Sequence, residues 1–428
     1  MTGYARPVTT FDPRAWWFVL MAMTGCSSAT TPAASHDAGE RTDAASDALV
    51  SFDGGHAPTP DATTPLDAAH DAATVADAQP ATDASDASSP LDAVVSPPDG
   101  PPMNPVLALG ACVGTSKALT VSDQMPYVAV AVGSDSGEFV LDYGSTFSSV
   151  DLAAFAAPGP TTSGCDASLL GSICTVDAFA FFGPPSSVIL TTEDYADVSG
   201  SVRQAGIIGT DFLSEQVFTL DYAGGNAYAA PQASACSSAA LTAAGFVALS
   251  TTGFFENDLA LLEPFTDVDG QASSGESVPN VPTVPVSVAG VSAVAQLDTG
   301  FDDAVTPFSV NVNKAFYTAI TGAHPGALVR DAAMDETLTT CVDGVSESVE
   351  AYQLAPGTTF DFMGASATAA RTYAHAVLFV KSAPAAASSC GGIGTWTVPA
   401  AQVGASFYVD LKSLVFDPFG AVVWVPRP

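Results

Sequence analysis

The chain has 428 residues, 47% of them hydrophobic, and a formal net charge of -34 from 45 Asp plus Glu against 11 Lys plus Arg. That length holds two packed domains and a tail, and so few bases exclude electrostatic neutralisation of phosphates, and with it a nucleic-acid partner. Charged residues make up only 13%, so the chain is short of base rather than densely charged in the halophile manner.

Arg6 and Arg14 precede an apolar run from Ala15 to Leu20 that continues to Met23. The run is too short to span a bilayer and has the layout of an export signal. It ends at Thr24-Gly25-Cys26, which resembles the lipobox at which bacterial lipoproteins are cleaved and the new N-terminal cysteine is acylated. Met23 stands where that box usually has Leu. The resemblance implies a signal peptide over 1–25 and membrane attachment through a lipid on Cys26. Ser27 follows, with no Asp of the kind linked to inner-membrane retention, so the expected location is the cell envelope, anchored to the outer membrane and facing periplasm or cell surface.

From 26 to 106 the composition falls to Ala, Asp, Ser, Thr and Pro, with Asp-Ala recurring at Asp67, Asp71, Asp77, Asp83, Asp86 and Asp92. Such text buries too little apolar surface to offset its ordering entropy and is expected to be a disordered linker. Flexible-chain scaling gives it a reach of about 50 Å. The Asp repeat lacks the Gly and Glu spacing of calcium loops.

With Cys26 lipidated, Cys112, Cys165, Cys174, Cys236, Cys341 and Cys390 remain. An even number in an exported chain points to disulfides. Order along the chain favours Cys112 with Cys236, Cys165 with Cys174, and Cys341 with Cys390. His36, His56 and His70 lie in the linker, leaving His324 and His375 for the folded part. A histidine-based nucleophile triad has few places to go. No cysteine pair has zinc-knuckle spacing, so neither metal nor cofactor is expected.

Beyond the linker, short apolar and β-branched runs alternate with Gly, Pro and Asp: Tyr127 to Val132, Phe139 to Leu141, Ser187 to Leu190, Thr283 to Val288 and Ala376 to Val380. They predict strands. Only Val312 to Thr321 reads as a helix, so the class is all-β.

The folded region is written twice. Val140-Leu141-Asp142-Tyr143-Gly144 matches Gln296-Leu297-Asp298-Thr299-Gly300, and Gly206-Ile207-Ile208-Gly209 matches Gln402-Val403-Gly404. Each half closes with a strand, a turn and a strand, Val217 to Tyr228 and Leu414 to Trp424. Three landmarks in one order mark an internal duplication.

An Asp-Thr-Gly loop and a later apolar-apolar-Gly segment, both duplicated, resemble the two-lobed pepsin-like aspartic proteases over about 107 to 428. The resemblance implies an N-terminal lobe over 107–238, a C-terminal lobe over 239–428 and a central cleft binding an extended peptide or unfolded protein substrate, in a monomer. It also fits Cys341 with Cys390 to the family's second-lobe disulfide. The first lobe is retropepsin-sized, since 67 positions separate Asp142 from Gly209 against 106 from Asp298 to Gly404.

By the same resemblance Asp142 and Asp298 form a catalytic dyad, with Gly144, Ser145, Thr299 and Gly300 in support. Two carboxylates about 3 Å apart share one proton and supply both base and acid. Each glycine is expected to let its loop turn tightly. Tyr143 replaces the usual Thr, so either the lobes stand apart or its ring turns away. Ser145 keeps the hydroxyl that reaches the carboxylate's outer oxygen. Phe301 does not, so Asp298 is expected to lack a donor and the acid limb of activity to move up. A flap is expected over Thr161 to Thr175, with a tip near Gly164 and Gly171 closed by Cys165 and Cys174; it holds no Tyr, and Tyr195 is not assigned that role. Asp302 and Asp303 read as solvated turn residues. The alternative is a catalytically inactive pepsin fold that binds peptide, glycan or protein in its cleft.

Overall fold

The computed structural model describes residues 104–428 apart from 199, 252–280, 341, 343, 383 and 387–391. The export signal, Cys26, the linker through 103 and the pairing of Cys341 with Cys390 lie outside the described residues. The side-chain amide of Asn104 donates to both carboxylate oxygens of Asp221 at 2.9 Å.

Among the described residues the fold is mostly β, in three sheets. An eight-stranded sheet holds only first-half strands, in the order Thr120–Ser122, Met125–Val132, Asp135–Leu141, Gln204–Ile208, Ser149–Val150, Ser186–Thr192, Ile173–Ala180 and Thr162–Ser163. A further pairing of Val132 with Phe179 curls it back on itself into a barrel-like body. The ten-stranded sheet of the second half repeats the central order: Thr283–Val288, Val291–Leu297, Ala400–Val403, Ser309–Asn313, Val377–Lys381 and Ser346–Leu354. In both, the strand ending in Asp lies parallel to the one ending before Gly, pairing Leu141 with Ile208 and Leu297 with Val403. The duplication read from three landmarks is thus also a duplication of strand order.

The central strands Gln204–Ile208 and Ser309–Asn313 are buried at every position, because neighbouring strands and helices cover both faces. Gln204–Ile208 accordingly lacks the alternation seen in Met125–Val132, whose Ala129 and Ala131 alone are exposed, whereas Ser309–Asn313 alternates Val with Ser and Asn although every position is buried. Core aromatics pack edge to face in each half, Phe139 on Phe179 in the first and Phe407 on Phe362 and Tyr373 in the second.

The third sheet is built by both halves, in the order Thr115–Ala118, Asn226–Ala230, Val217–Asp221, Ser413–Asp417, Val422–Pro426 and Phe246–Ser250. At its centre the closing hairpins meet antiparallel, Phe218 opposite Phe416 and Leu220 opposite Leu414. Phe416 and Trp424 are buried there, as core residues should be.

The expected helix exists but is shifted, running Lys314–Ala323. Ser309–Asn313 is a strand, and the Asn313 side chain accepts from Phe316 N to start the helix. That is an N-cap. Cys112 with Cys236 and Cys165 with Cys174 form disulfides, which is compatible with export. Among the described residues no helix is long and apolar enough to cross a membrane, and no group of three or more His, Cys, Asp or Glu is placed to hold a metal ion.

Candidate active site

Asp142 and Asp298 each follow a strand whose last three residues are buried, Asp135–Leu141 and Val291–Leu297, so the duplicated topology delivers two equivalent loops. They meet. The two carboxyl groups hydrogen-bond to each other and are almost wholly buried, at 2% and 9% exposure. Gly144 N donates to Asp142 Oδ1 at 2.7 Å, and Gly300 N donates to Asp298 Oδ1 at 3.0 Å. Burial and then the charge of Asp142 hold Asp298 well above the usual carboxylate range. Asp142 is raised less securely, because burial is opposed by its bond to Asp298 and by the N–H groups of Gly144, Gly300 and Ser145. Two buried acids at this distance cannot both ionise cheaply, so the pair holds a proton.

The glycines are needed for a different reason from the expected one. Neither Gly144 nor Gly300 has positive φ. A Cβ on Gly144 would lie 2.2 Å from Asp298 Cγ, and one on Gly300 would lie 2.5 Å from Asp142 Cγ. Each loop is bare where the opposite acid rests.

Thr299 clasps the loops together. Its Oγ1 donates to Leu141 O at 2.5 Å and accepts from Tyr143 N at 3.0 Å. Tyr143 cannot return this with a short hydroxyl, and its ring turns away to stack on Phe416, with centroids 3.7 Å apart and planes 13° apart. The loops stay in contact, which excludes the other expectation, that the substitution holds them apart.

Two supports differ from the sequence reading. The Ser145 hydroxyl donates to Phe147 O at 2.9 Å; only its backbone N–H serves Asp142. Asp298, expected to lack a donor because of Phe301, has one from elsewhere. Gln402 Nε2 donates to its Oδ2 at 2.5 Å, and Asn311 Nδ2 holds Gln402 Oε1 at 3.0 Å. Nothing local in the sequence signals this, since Gln402 is 104 positions away.

Asp303 is no solvated turn residue: it is 4% exposed. It accepts from Ser406 N at 2.8 Å, from Ser309 N at 3.2 Å and from the Ser406 hydroxyl. The first half carries the same link with the residues exchanged, Asp211 accepting from Ser148 N at 3.0 Å and Ser148 Oγ at 2.6 Å. Burial outweighs these donors and raises both carboxyls to about 6. Each link fastens the loop after the acid to the short helix after the paired glycine. Asp302 is half-buried and also raised, first by burial; with Phe301, Asn311, Glu336, Leu338 and Phe379 it lines a pocket beside the loop of Asp298.

The hairpin expected to cover the site is present as a hairpin. Thr162 pairs with Val176 and Ser163 with Thr175, and the bridge from Cys165 to Cys174 closes its tip, where Leu169 and Leu170 are 62% and 60% exposed. Tyr195 is engaged elsewhere, with its hydroxyl 2.5 Å from Ser149 Oγ. His324 and His375 are exposed and belong to neither loop.

No protein-family model and no curated protein matches the chain.

Proposed function

We propose that the chain is a pepsin-like, two-lobed aspartic endopeptidase, exported and held at the outer membrane by a lipid on Cys26. The observation that carries this reading is the contact of Asp142 with Asp298, each backed by an Asp-x-Gly loop whose glycine makes room for the opposite carboxyl. A triad would need a histidine at the site, and His324 and His375, the histidines among the described residues, are both exposed whereas the two acids are buried.

In this reading one carboxylate of the monoanionic pair takes a proton from the water bound between them as its oxygen attacks the peptide carbon. The carboxylic acid gives its proton to the carbonyl oxygen. Collapse of the resulting diol breaks the C–N bond, and the nitrogen leaves with a proton returned by the pair. Burial keeps the shared proton in place at mildly acidic pH. An extended peptide is the expected substrate, laid along the cleft as an added strand, with the bridged hairpin over it and the pocket beside Phe301 receiving a side chain.

Cleavage of an unfolded protein across a pH series, with and without pepstatin, tests the proposal. Pepstatin-sensitive cleavage lost in both Asp142→Asn and Asp298→Asn is expected. Cleavage that survives both substitutions removes the assigned pair, and an intact chain inert at every pH moves the reading to a binding cleft.

A further inference from the structure

The repeat supplies its own internal control. Gln204–Ile208 and Ala400–Val403 are counterparts, and two positions before the shared glycine the first has Ile207 and the second Gln402. The residues paired with them across the next strand are Ser149 and Asn311. An aliphatic side chain and a hydroxyl in one half are thus two carboxamides in the other.

The carboxamides act in series. Asn311, 8% exposed, donates to Gln402 Oε1, which turns Gln402 Nε2 onto Asp298 Oδ2. An amide's two ends are fixed relative to each other, so occupying the oxygen with a donor dictates which end meets the acid. Among the described residues, the donors that face Asp142 besides its partner acid are the backbone N–H groups of Gly144, Gly300 and Ser145. Two acids equivalent by topology are therefore held differently.

We propose that Gln402, aligned by Asn311, is a positioning residue for the acid pair: it replaces the hydroxyl absent at Phe301, fixes the plane of the Asp298 carboxyl, and sets the pH window in which the pair holds one proton. The titratable groups facing Asp298 are Asp142 across the pair and Tyr408 from the helix Ser406–Leu411, whose phenol donates to Val403 O at 3.1 Å. Tyr222 and Asp303 also act on the Tyr408 phenol, and Asp303 has its own donors. A donor to a carboxylate favours its charged form. Gln402 is uncharged, so its influence is short-ranged and little screened by salt.

The kinetic arm of the test rests on the peptidase reading and the titration arm does not. Full-length Gln402→Leu, Asn311→Leu and the double variant Gln402→Leu with Phe301→Ser are compared with the parent in two ways. The first is the pH profile of kcat/KM on an unfolded protein. The second is carboxyl-carbon NMR titration of protein labelled at Asp, which needs no turnover. Gln402→Leu is expected to raise the pair's apparent pKa values by about one unit, in low and high salt alike, and to lower kcat more than it raises KM. Asn311→Leu shifts them the same way by less, and the serine of the double variant brings them back. Titration of the pair in Gln402→Leu coincident with the parent overturns the proposal. If Gln402→Leu does not fold, Asn311→Leu decides it, because the donor itself remains in place and an unmoved pair then refutes the relay. A parent without cleavage but with the shift in titration rejects the peptidase reading alone.

Discussion

Tyr143 lies flat against Phe416, one ring from the loop of the first acid and the other from the strand where the second half joins the shared sheet. Both are fully buried. The bulky residue in the first loop is therefore accommodated by packing rather than by separating the loops. Tyr143→Thr is expected to lower stability by about 3 kcal/mol, the scale of emptying a buried aromatic site, while leaving the acids in contact. Thermal unfolding together with the cleavage assay checks this: a lower Tm with cleavage retained is the expected result, and an unchanged Tm contradicts it.

Gly144→Ala and Gly300→Ala place a methyl 2.2 Å and 2.5 Å from the opposing carboxyl carbon, closer than real contacts permit. One acid must move aside. A displacement on the order of 1 Å costs about 100-fold in rate, so kcat is expected to fall at least that far in either variant. Far-ultraviolet circular dichroism separates this from unfolding, because the surrounding strands are untouched.

Stability is expected to rise as pH falls from about 7 to about 4. Asp211 and Asp303 have folded values of about 6, above the unfolded value of about 3.9. The folded state therefore binds more protons between those limits, so the stabilisation is complete below the unfolded value and is lost as pH rises through 6. The acid pair acts in the same direction, being raised as well. Two pH units correspond to at most about 3 kcal/mol for the buried Asp303, and to less for Asp211, which is exposed and screened by solvent. Tm measured along a pH series should show the trend, and Asp303→Asn should flatten it; a Tm that peaks at neutral pH would falsify the assignment.

Cys112 and Cys236 are 124 positions apart and tie the start of the folded region to the segment after the first closing hairpin. Crosslinks closing loops of this size contribute about 2–5 kcal/mol. Replacing both by Ser is expected to cost that much in chemical denaturation. The short bridge from Cys165 to Cys174 should cost less, its effect falling on the order of the exposed tip.

What the sequence made legible follows the reach of each signal. Alternating runs such as Tyr127 to Val132 are strands because one period decides which face is buried. Asp142 and Asp298 were legible as partners only through the repeat, since no local pattern links positions so far apart. Asp303 looked like an ordinary turn acid because its donors, Ser309 and Ser406, come from other segments. Gln402 sits in a short apolar run that predicts burial and gives no hint of the carboxyl it meets. The helix start was misplaced by two residues, although Asn313 three positions before Phe316 was a usable capping signal.

The seam where Phe218 faces Phe416 does more than join the halves. Slipping it by a single residue would turn every side chain on one of its strands to the opposite face and carry the strands above it along. The spacing of the two acids is thus governed from beneath, as a vernier is read: a change of pairing far from any reacting atom would detune the chemistry while leaving each barrel intact.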